Sequence, residues 1–77
     1  MHLSALFIVC DLDSQPQVVK HIEGLPWAEQ QLEEPSKLIV TIEAKDEHEA
    51  GQRVRQLEQI EGVMAAQVTA FYASETE

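Results

Sequence analysis

The chain is poor in cysteine, glycine, proline, aromatic residues and positive charge. Its 77 residues include one cysteine, three glycines, three prolines and only five lysines and arginines. A single cysteine excludes an intramolecular disulfide framework and is typical of a reducing compartment. No apolar run approaches the roughly 18 residues of a membrane helix, and no basic segment opens the chain. We therefore expect a cytoplasmic protein, with neither membrane insertion nor a secretory signal.

The scarcity of basic residues leaves a strong negative charge. Fourteen acidic residues against five basic ones give a net charge of −9. Nucleic acids and anionic membranes both require a cationic protein surface, so this balance argues against either as a partner. An acidic protein suits a basic ligand, and acidity also confers solubility without any ligand. The composition leaves these two explanations open.

The most informative segment is residues 37–44, in which four consecutive positions are β-branched. Such residues favour a pleated strand, whose side chains alternate between its two faces. One face of this strand is wholly apolar and consists of Leu38, Val40, Ile42 and Ala44. The other is mixed and consists of Lys37, Ile39, Thr41 and Glu43. The pattern predicts an interior strand with its apolar side against a core.

Three other segments are predicted to be strands. Residues 3–10 are apolar on both faces, which indicates a second interior strand with Leu6, Ile8 and Cys10 towards the core. Residues 27–34 are largely polar and include three glutamates, as expected of an edge strand in a hairpin with residues 37–44. Residues 63–72 form the last strand, with a core side consisting of Met64, Ala66, Val68, Ala70 and Tyr72. Residues 73–77 are expected to be a frayed polar tail.

Two segments have the spacing of helices. The first helix is predicted over residues 15–23, with Ser14 and Gln17 as a capping box. The second is predicted over residues 47–60, with Asp46 and Glu49 as a capping box. Its apolar stripe consists of Ala50, Val54, Leu57 and Ile60, and Arg53 is expected to face water.

The order strand, helix, strand, strand, helix, strand predicts a single domain over residues 1–77. This order consists of two halves, each with the order strand, helix, strand. Together they form an α+β, ferredoxin-like βαββαβ sandwich. Its four-stranded antiparallel sheet has the order 4-1-3-2, with both helices on one face. The similar segments at residues 21–25 and 59–63, which end the two helices, support this repeat.

Motifs for catalysis or cofactor binding are missing from the sequence. His2, His21 and His48 are scattered and have no neighbours at metal-ligand spacing. Cys10 has no general base placed by a recognisable motif, and we expect it to be a buried residue at a strand end. The chain has no glycine-rich phosphate loop. We expect no catalytic residue, metal or cofactor, and we expect Trp27 to pack over a helix end.

The sheet face without helices is the remaining candidate for function. Its predicted residues form a platform of apolar and small side chains with almost no charge, and a large exposed apolar patch is typical of an interaction site. A homodimer through this face is the alternative. The candidate binding residues are Ala5, Phe7, Val9, Ile39, Thr41, Glu43, Ala65, Gln67, Thr69 and Phe71.

Five segments together resemble the NapD family: residues 2–6, 25–26, 37–44, 46–47 and 60–66. The resemblance covers nearly the whole chain. It implies a ferredoxin-like fold and a cytoplasmic, non-catalytic chaperone for assembly of the periplasmic nitrate reductase. The implied partner is the twin-arginine signal peptide of the catalytic-subunit precursor, held until the molybdenum cofactor is inserted.

Two functions from different classes therefore stand. The first is a peptide-binding chaperone, which would show basic-peptide binding with a steep salt dependence. The second is a dimerising, small-molecule-sensing regulatory domain of the same fold, which would form a dimer stabilised by an amino acid.

Overall fold

The computed structural model describes the backbone of residues 2–73 and the side chains of residues 2–70. The elements are β1 (His2–Cys10), a 3-10 turn (Leu12–Ser14), α1 (Gln15–Glu23), β2 (Ala28–Glu34), β3 (Lys37–Ala44), α2 (Glu47–Glu58) and β4 (Val63–Ala73). Of the predicted tail, Ala73 closes β4, and residues 74–77 lie outside the described part. Neither helix of residues 2–73 is long and apolar enough to cross a membrane.

The four strands form one antiparallel sheet in the order β2-β3-β1-β4. β1 and β3 pair without interruption, from His2 opposite Ala44 to Val9 opposite Lys37. These two strands occupy the centre of the sheet. The predicted ferredoxin-like topology is therefore confirmed.

The core lies between the sheet and the two helices. Alternate residues of β1 and β3 are buried there against apolar side chains of both helices, because a strand presents every second side chain to the same face. The residues involved are Leu6, Ile8, Cys10, Leu38, Val40 and Ile42 from the strands, with Val18, Ile22 and Leu57 from the helices. The opposite side of the sheet, here called the open face, carries the intervening residues, of which Phe7 and Val9 are exposed.

α2 begins with a variant of the predicted capping box, in which the reciprocal bond goes to the residue before the N-cap. Asp46 Oδ1 accepts a hydrogen bond from the backbone N–H of Glu49 at 2.9 Å. Glu49 Oε1 in turn accepts one from the backbone N–H of Lys45 at 2.7 Å. The bond from Glu49 lowers the pKa of Asp46, because it stabilises the charged carboxylate. The helix ends at Glu58, two residues earlier than predicted.

α1 begins differently, and the capping box predicted at Ser14 and Gln17 is wrong. Ser14 belongs to the 3-10 turn that runs directly into the helix, and its backbone is already helical. A capping side chain needs an extended backbone to reach back to the first turn. The Ser14 hydroxyl makes no cap bond and instead donates to Asp11 Oδ2 at 3.5 Å.

Gln15 ties the start of α1 to the turn between β2 and β3. Its side chain accepts from the Ser36 N–H at 2.7 Å and donates to the Glu34 carbonyl at 2.8 Å and to Glu33 Oε2 at 3.1 Å. Ser36 has a φ of 64°, which is unfavourable for a residue with a side chain. The buried Gln15 therefore holds the hairpin turn in a conformation that it would not favour alone.

Candidate functional site

The central strands bring most of the predicted binding residues together on the open face. Phe7 pairs with Ile39 on one side and with Gln67 on the other. Ala5 lies opposite Thr41 in the same row. The structure thus groups the predicted residues Ala5, Phe7, Val9, Ile39, Thr41, Glu43, Ala65 and Gln67 on one surface.

The β4 part of the prediction needs correction, because the pairing of β4 with β1 shifts twice. Leu6 lies opposite Val68 while Ala5 lies opposite Ala70, so Thr69 is an extra residue at a bulge. Its hydroxyl donates to the Ala5 carbonyl at 3.2 Å. Ala70, predicted on the core side, therefore takes the position across from Ala5 on the open face.

The second shift changes the start of β4. Val9 lies opposite Ala65 and Cys10 opposite Val63, which leaves Met64 as the extra residue. Met64 is 71% exposed, so its predicted place on the core side is wrong. Val63 packs against the core instead. The side chains of Phe71 and Tyr72, which the sequence placed on the open face and on the core side, lie outside the described residues.

Apolar side chains concentrate where β1 ends and β3 begins. Phe7 is 38% exposed and Leu32, which pairs with Ile39, is 48% exposed. Phe7, Leu32 and Ile39 line a small hollow of about 70 Å³. We call this part of the open face, with Val9, Leu32 and Ala65, the apolar end.

Lys37 also lies at the apolar end, so the platform carries more charge than predicted there. Its Nζ lies 5.6 Å from the centroid of the Phe7 ring, a cation–π distance. Glu34 is its cross-strand partner. The charges of Lys37 and Glu34 offset each other, which leaves this end without net charge.

The other end of the open face is acidic. A cleft of about 580 Å³ lies there between the start of β1 and the end of β3, and its walls include Leu3, Trp27 and Thr41. Glu29 and Glu43 also line it. Among residues 2–70, neither carboxylate has a hydrogen-bond or ion-pair partner. We call this part, with Leu3, Glu29 and Glu43, the acidic end.

Arg53 of α2 supports the acidic end from the helix side. Its Nη1 donates to the Glu43 carbonyl at 2.6 Å, and its guanidinium lies 5.0 Å from the centroid of the Trp27 ring. The Trp27 carbonyl accepts from the Glu43 N–H at 2.9 Å. The prediction that Arg53 faces water is therefore wrong. Trp27 packs beside the middle of α2 and against the core.

Thr41 is held in place from the edge strand. Its hydroxyl accepts a hydrogen bond from Gln31 Nε2 at 3.1 Å and lies 3.5 Å from the Glu29 carbonyl. The pairing of β2 with β3 shifts at Gln31, which is the extra residue there. The bulge turns Leu32 onto the open face beside Ile39.

Cys10 has the environment of a structural residue. It is buried in the core, and this burial, followed by the negative charges of Asp11 and Glu33, raises the pKa of its thiol. A raised pKa keeps the thiol neutral at physiological pH, whereas a nucleophile or metal ligand must be a thiolate. Within residues 2–73, no three histidine, cysteine or acidic side chains come together in a metal-binding group.

Comparison with known proteins decides the family. The family model described as NapD protein matches residues 1–75. The chain belongs to the NapD family. No curated protein sequence matches this NapD-family chain significantly.

The fold of this NapD-family chain is also found in a solved structure. The solution structure of the E. coli Tat proofreading chaperone protein NapD superposes with a TM-score of 0.81 at 21% identity. The match covers 97% of this chain and 79% of that one. At this identity the comparison shows the shared fold.

Several residues of the open face were not among the predicted binding residues. Leu3, Glu29, Leu32 and Lys37 all lie on it. The alternation of residues 37–44 already assigned Lys37 to this side. Glu29 and Leu32 are three positions apart, so in a regular strand their side chains would lie on opposite faces. Only the bulge at Gln31 brings both to the same face.

Proposed function

We propose that the open face binds the twin-arginine signal peptide of the catalytic-subunit precursor of the periplasmic nitrate reductase. The protein acts in the cytoplasm as a chaperone without catalysis. It keeps the precursor from export until the molybdenum cofactor has been inserted. Membership of the NapD family and the similarity to a Tat proofreading chaperone support this function.

The observation that carries the proposal is the row of apolar side chains at the centre of the open face. Phe7, Ile39 and Leu32 are neighbours across three strands, and no described element covers them. An amphipathic helix laid into an apolar groove or surface is a common mode of peptide recognition. The apolar run of a signal peptide can supply the apolar side of such a helix.

Apolar contact is expected to supply most of the affinity. Full burial of a large apolar side chain is worth roughly 1.5–3 kcal/mol. Phe7 and Leu32 are already about half buried or more, so each adds only part of that amount on binding, about 0.5–1.5 kcal/mol. Exposed ion pairs add at most about 1 kcal/mol each. The acidic residues mainly accelerate association and select the arginines.

Mapping by nuclear magnetic resonance tests the proposal. A synthetic peptide with two consecutive arginines before an apolar run is titrated into ¹⁵N-labelled protein. We expect the amides of Phe7, Ile39 and Thr41 to shift and those of α1 to stay unchanged. A peptide of the same composition in scrambled order is the control. Shifts confined to the helices, or equal effects of both peptides, would contradict the proposed function.

A further inference from the structure

We propose that the bound peptide lies along the strands of the open face in one direction. Its arginines occupy the acidic end, and its apolar run extends over the apolar end. This inference rests on the proposed function and adds the orientation of the peptide to it.

The distribution of charge on the open face supports this direction. Glu29 and Glu43 line the cleft at the acidic end and have no partner among residues 2–70. At the opposite end, the charges of the cross-strand partners Glu34 and Lys37 offset each other, so that end offers an arginine no net attraction. Arg53, which lies behind this cleft at the acidic end on the helix side, is itself ion-paired with Glu49 at 3.7 Å, so a dipeptide with two positive charges is drawn to the acidic end.

The distribution of apolar surface points the same way. The exposed large hydrophobic side chains of the described residues are Phe7, Val9, Leu12, Leu32 and Met64. Phe7, Val9 and Leu32 lie in the middle of the open face or at its apolar end, while Met64 lies at the start of β4 and Leu12 in the turn that follows β1. None of them belongs to the acidic end. A twin-arginine peptide has its arginines before its apolar run. It can therefore place the arginines at the acidic end while the apolar run covers the apolar end.

The dimensions of the surface fit such a peptide. The distance from Leu3 to Val9 along β1 is six strand residues, or about 20 Å at roughly 3.3 Å per residue. A helix rises about 1.5 Å per residue, so about 13 helical residues span that distance. One helical apolar segment beginning just after the arginines can therefore reach from the acidic cleft to Val9.

Paramagnetic labels on the peptide test the direction. A nitroxide just before the arginines is expected to broaden the amide signals of Leu3, Glu29 and Glu43. A nitroxide after the apolar run is expected to broaden those of Val9 and Leu32. The reverse pattern, or equal broadening at both ends, would overturn this inference while leaving the proposed function intact. A peptide that does not bind would contradict the proposed function itself.

A charge-removal experiment tests the acidic end separately. The double variant Glu29→Gln/Glu43→Gln is expected to weaken binding by up to about fivefold per carboxylate, the upper range for exposed ion pairs. The same variant should not weaken binding of a peptide whose arginines are replaced by glutamine. Glu23→Gln/Glu58→Gln, on the helices, is the matched control and should change neither affinity. Equal losses for both peptides would overturn the assignment of the arginines.

Discussion

The guanidinium of Arg53 lies over the indole ring of Trp27, with 5.0 Å between Arg53 Cζ and the ring centroid. The same guanidinium donates to the Glu43 carbonyl. These two contacts connect the middle of α2 to the segment before β2 and to the end of β3. A residue on the helix side of the sheet thereby positions two walls of the acidic cleft.

Replacing Arg53 with alanine is expected to destabilise the fold. The variant loses a hydrogen bond from a charged group, a cation–π contact and the ion pair with Glu49, together worth about 2–4 kcal/mol of unfolding free energy. Urea denaturation followed by circular dichroism measures the change. Arg55→Ala, on the exposed side of the same helix, is the control and should be nearly neutral. An equal effect of the two substitutions would show that the contacts of Arg53 contribute nothing.

Gly62 and Gly51 should respond in opposite directions to substitution by alanine. Gly62 has a φ of +99°, and a Cβ there would lie 2.6 Å from Ser14 Cβ. Gly62→Ala is therefore expected to cost more than the 1–2 kcal/mol or so of an unfavourable φ alone. A Cβ on Gly51 would meet no atom within 4 Å beyond the backbone of its own helix and its chain neighbours. Gly51→Ala should stabilise α2 by about 1 kcal/mol, and thermal unfolding of both variants would show whether the signs differ.

Val40 tests which side of β3 is the core. Its side chain is fully buried beneath the helices, whereas its neighbour Ile39 lies on the open face. Val40→Ala removes two methyl groups and should reduce the unfolding free energy by roughly 1–3 kcal/mol. Thr41→Ala, next along the strand, is a control with less buried apolar surface. A loss of only about a few tenths of a kcal/mol for Val40→Ala would mean that the assignment of Val40 to the core side of β3 is wrong.

The pattern of residues 37–44 was sufficient to predict the centre of the fold, because one of its two faces is wholly apolar while the other carries Lys37, Thr41 and Glu43. Residues 63–72 were not sufficient. β4 is apolar or small on both sides, so its sequence contains no contrast that would reveal the extra residues Met64 and Thr69. The sequence also does not reveal the bulge at Gln31. This one-residue shift reverses the facing of every later side chain of β2.

The helix termini show the same limit in another form. Both Ser14 and Asp46 precede a residue three positions later that could complete a capping box. Only Asp46 caps its helix, because its backbone is extended while that of Ser14 is helical. The contact of Arg53 with Trp27 joins residues 26 positions apart in the chain, and helical spacing alone placed Arg53 in water.

The cap at Asp46 predicts a pH dependence of stability. Its folded pKa is lowered, so its charge stabilises the protein fully above the ordinary carboxyl pKa. This contribution is lost as the pH falls through the folded pKa. The difference in unfolding free energy between the native protein and Asp46→Asn should therefore be largest at neutral pH and shrink in acid. Urea denaturation of both proteins over a series of pH values measures this difference. A difference that stays constant or grows in acid would contradict the prediction.

The most direct test of the account is the affinity of Ile39→Asp for a twin-arginine signal peptide, measured by titration calorimetry. The substitution places a charge in the middle of the apolar row, where binding would bury it at high cost. Gln52→Asp, on the exposed side of α2, adds the same charge away from the open face. Circular dichroism first establishes that both variants are folded. We expect Ile39→Asp to abolish binding and Gln52→Asp to retain it. A folded Ile39→Asp protein that binds the peptide with native affinity would contradict the assignment of the open face.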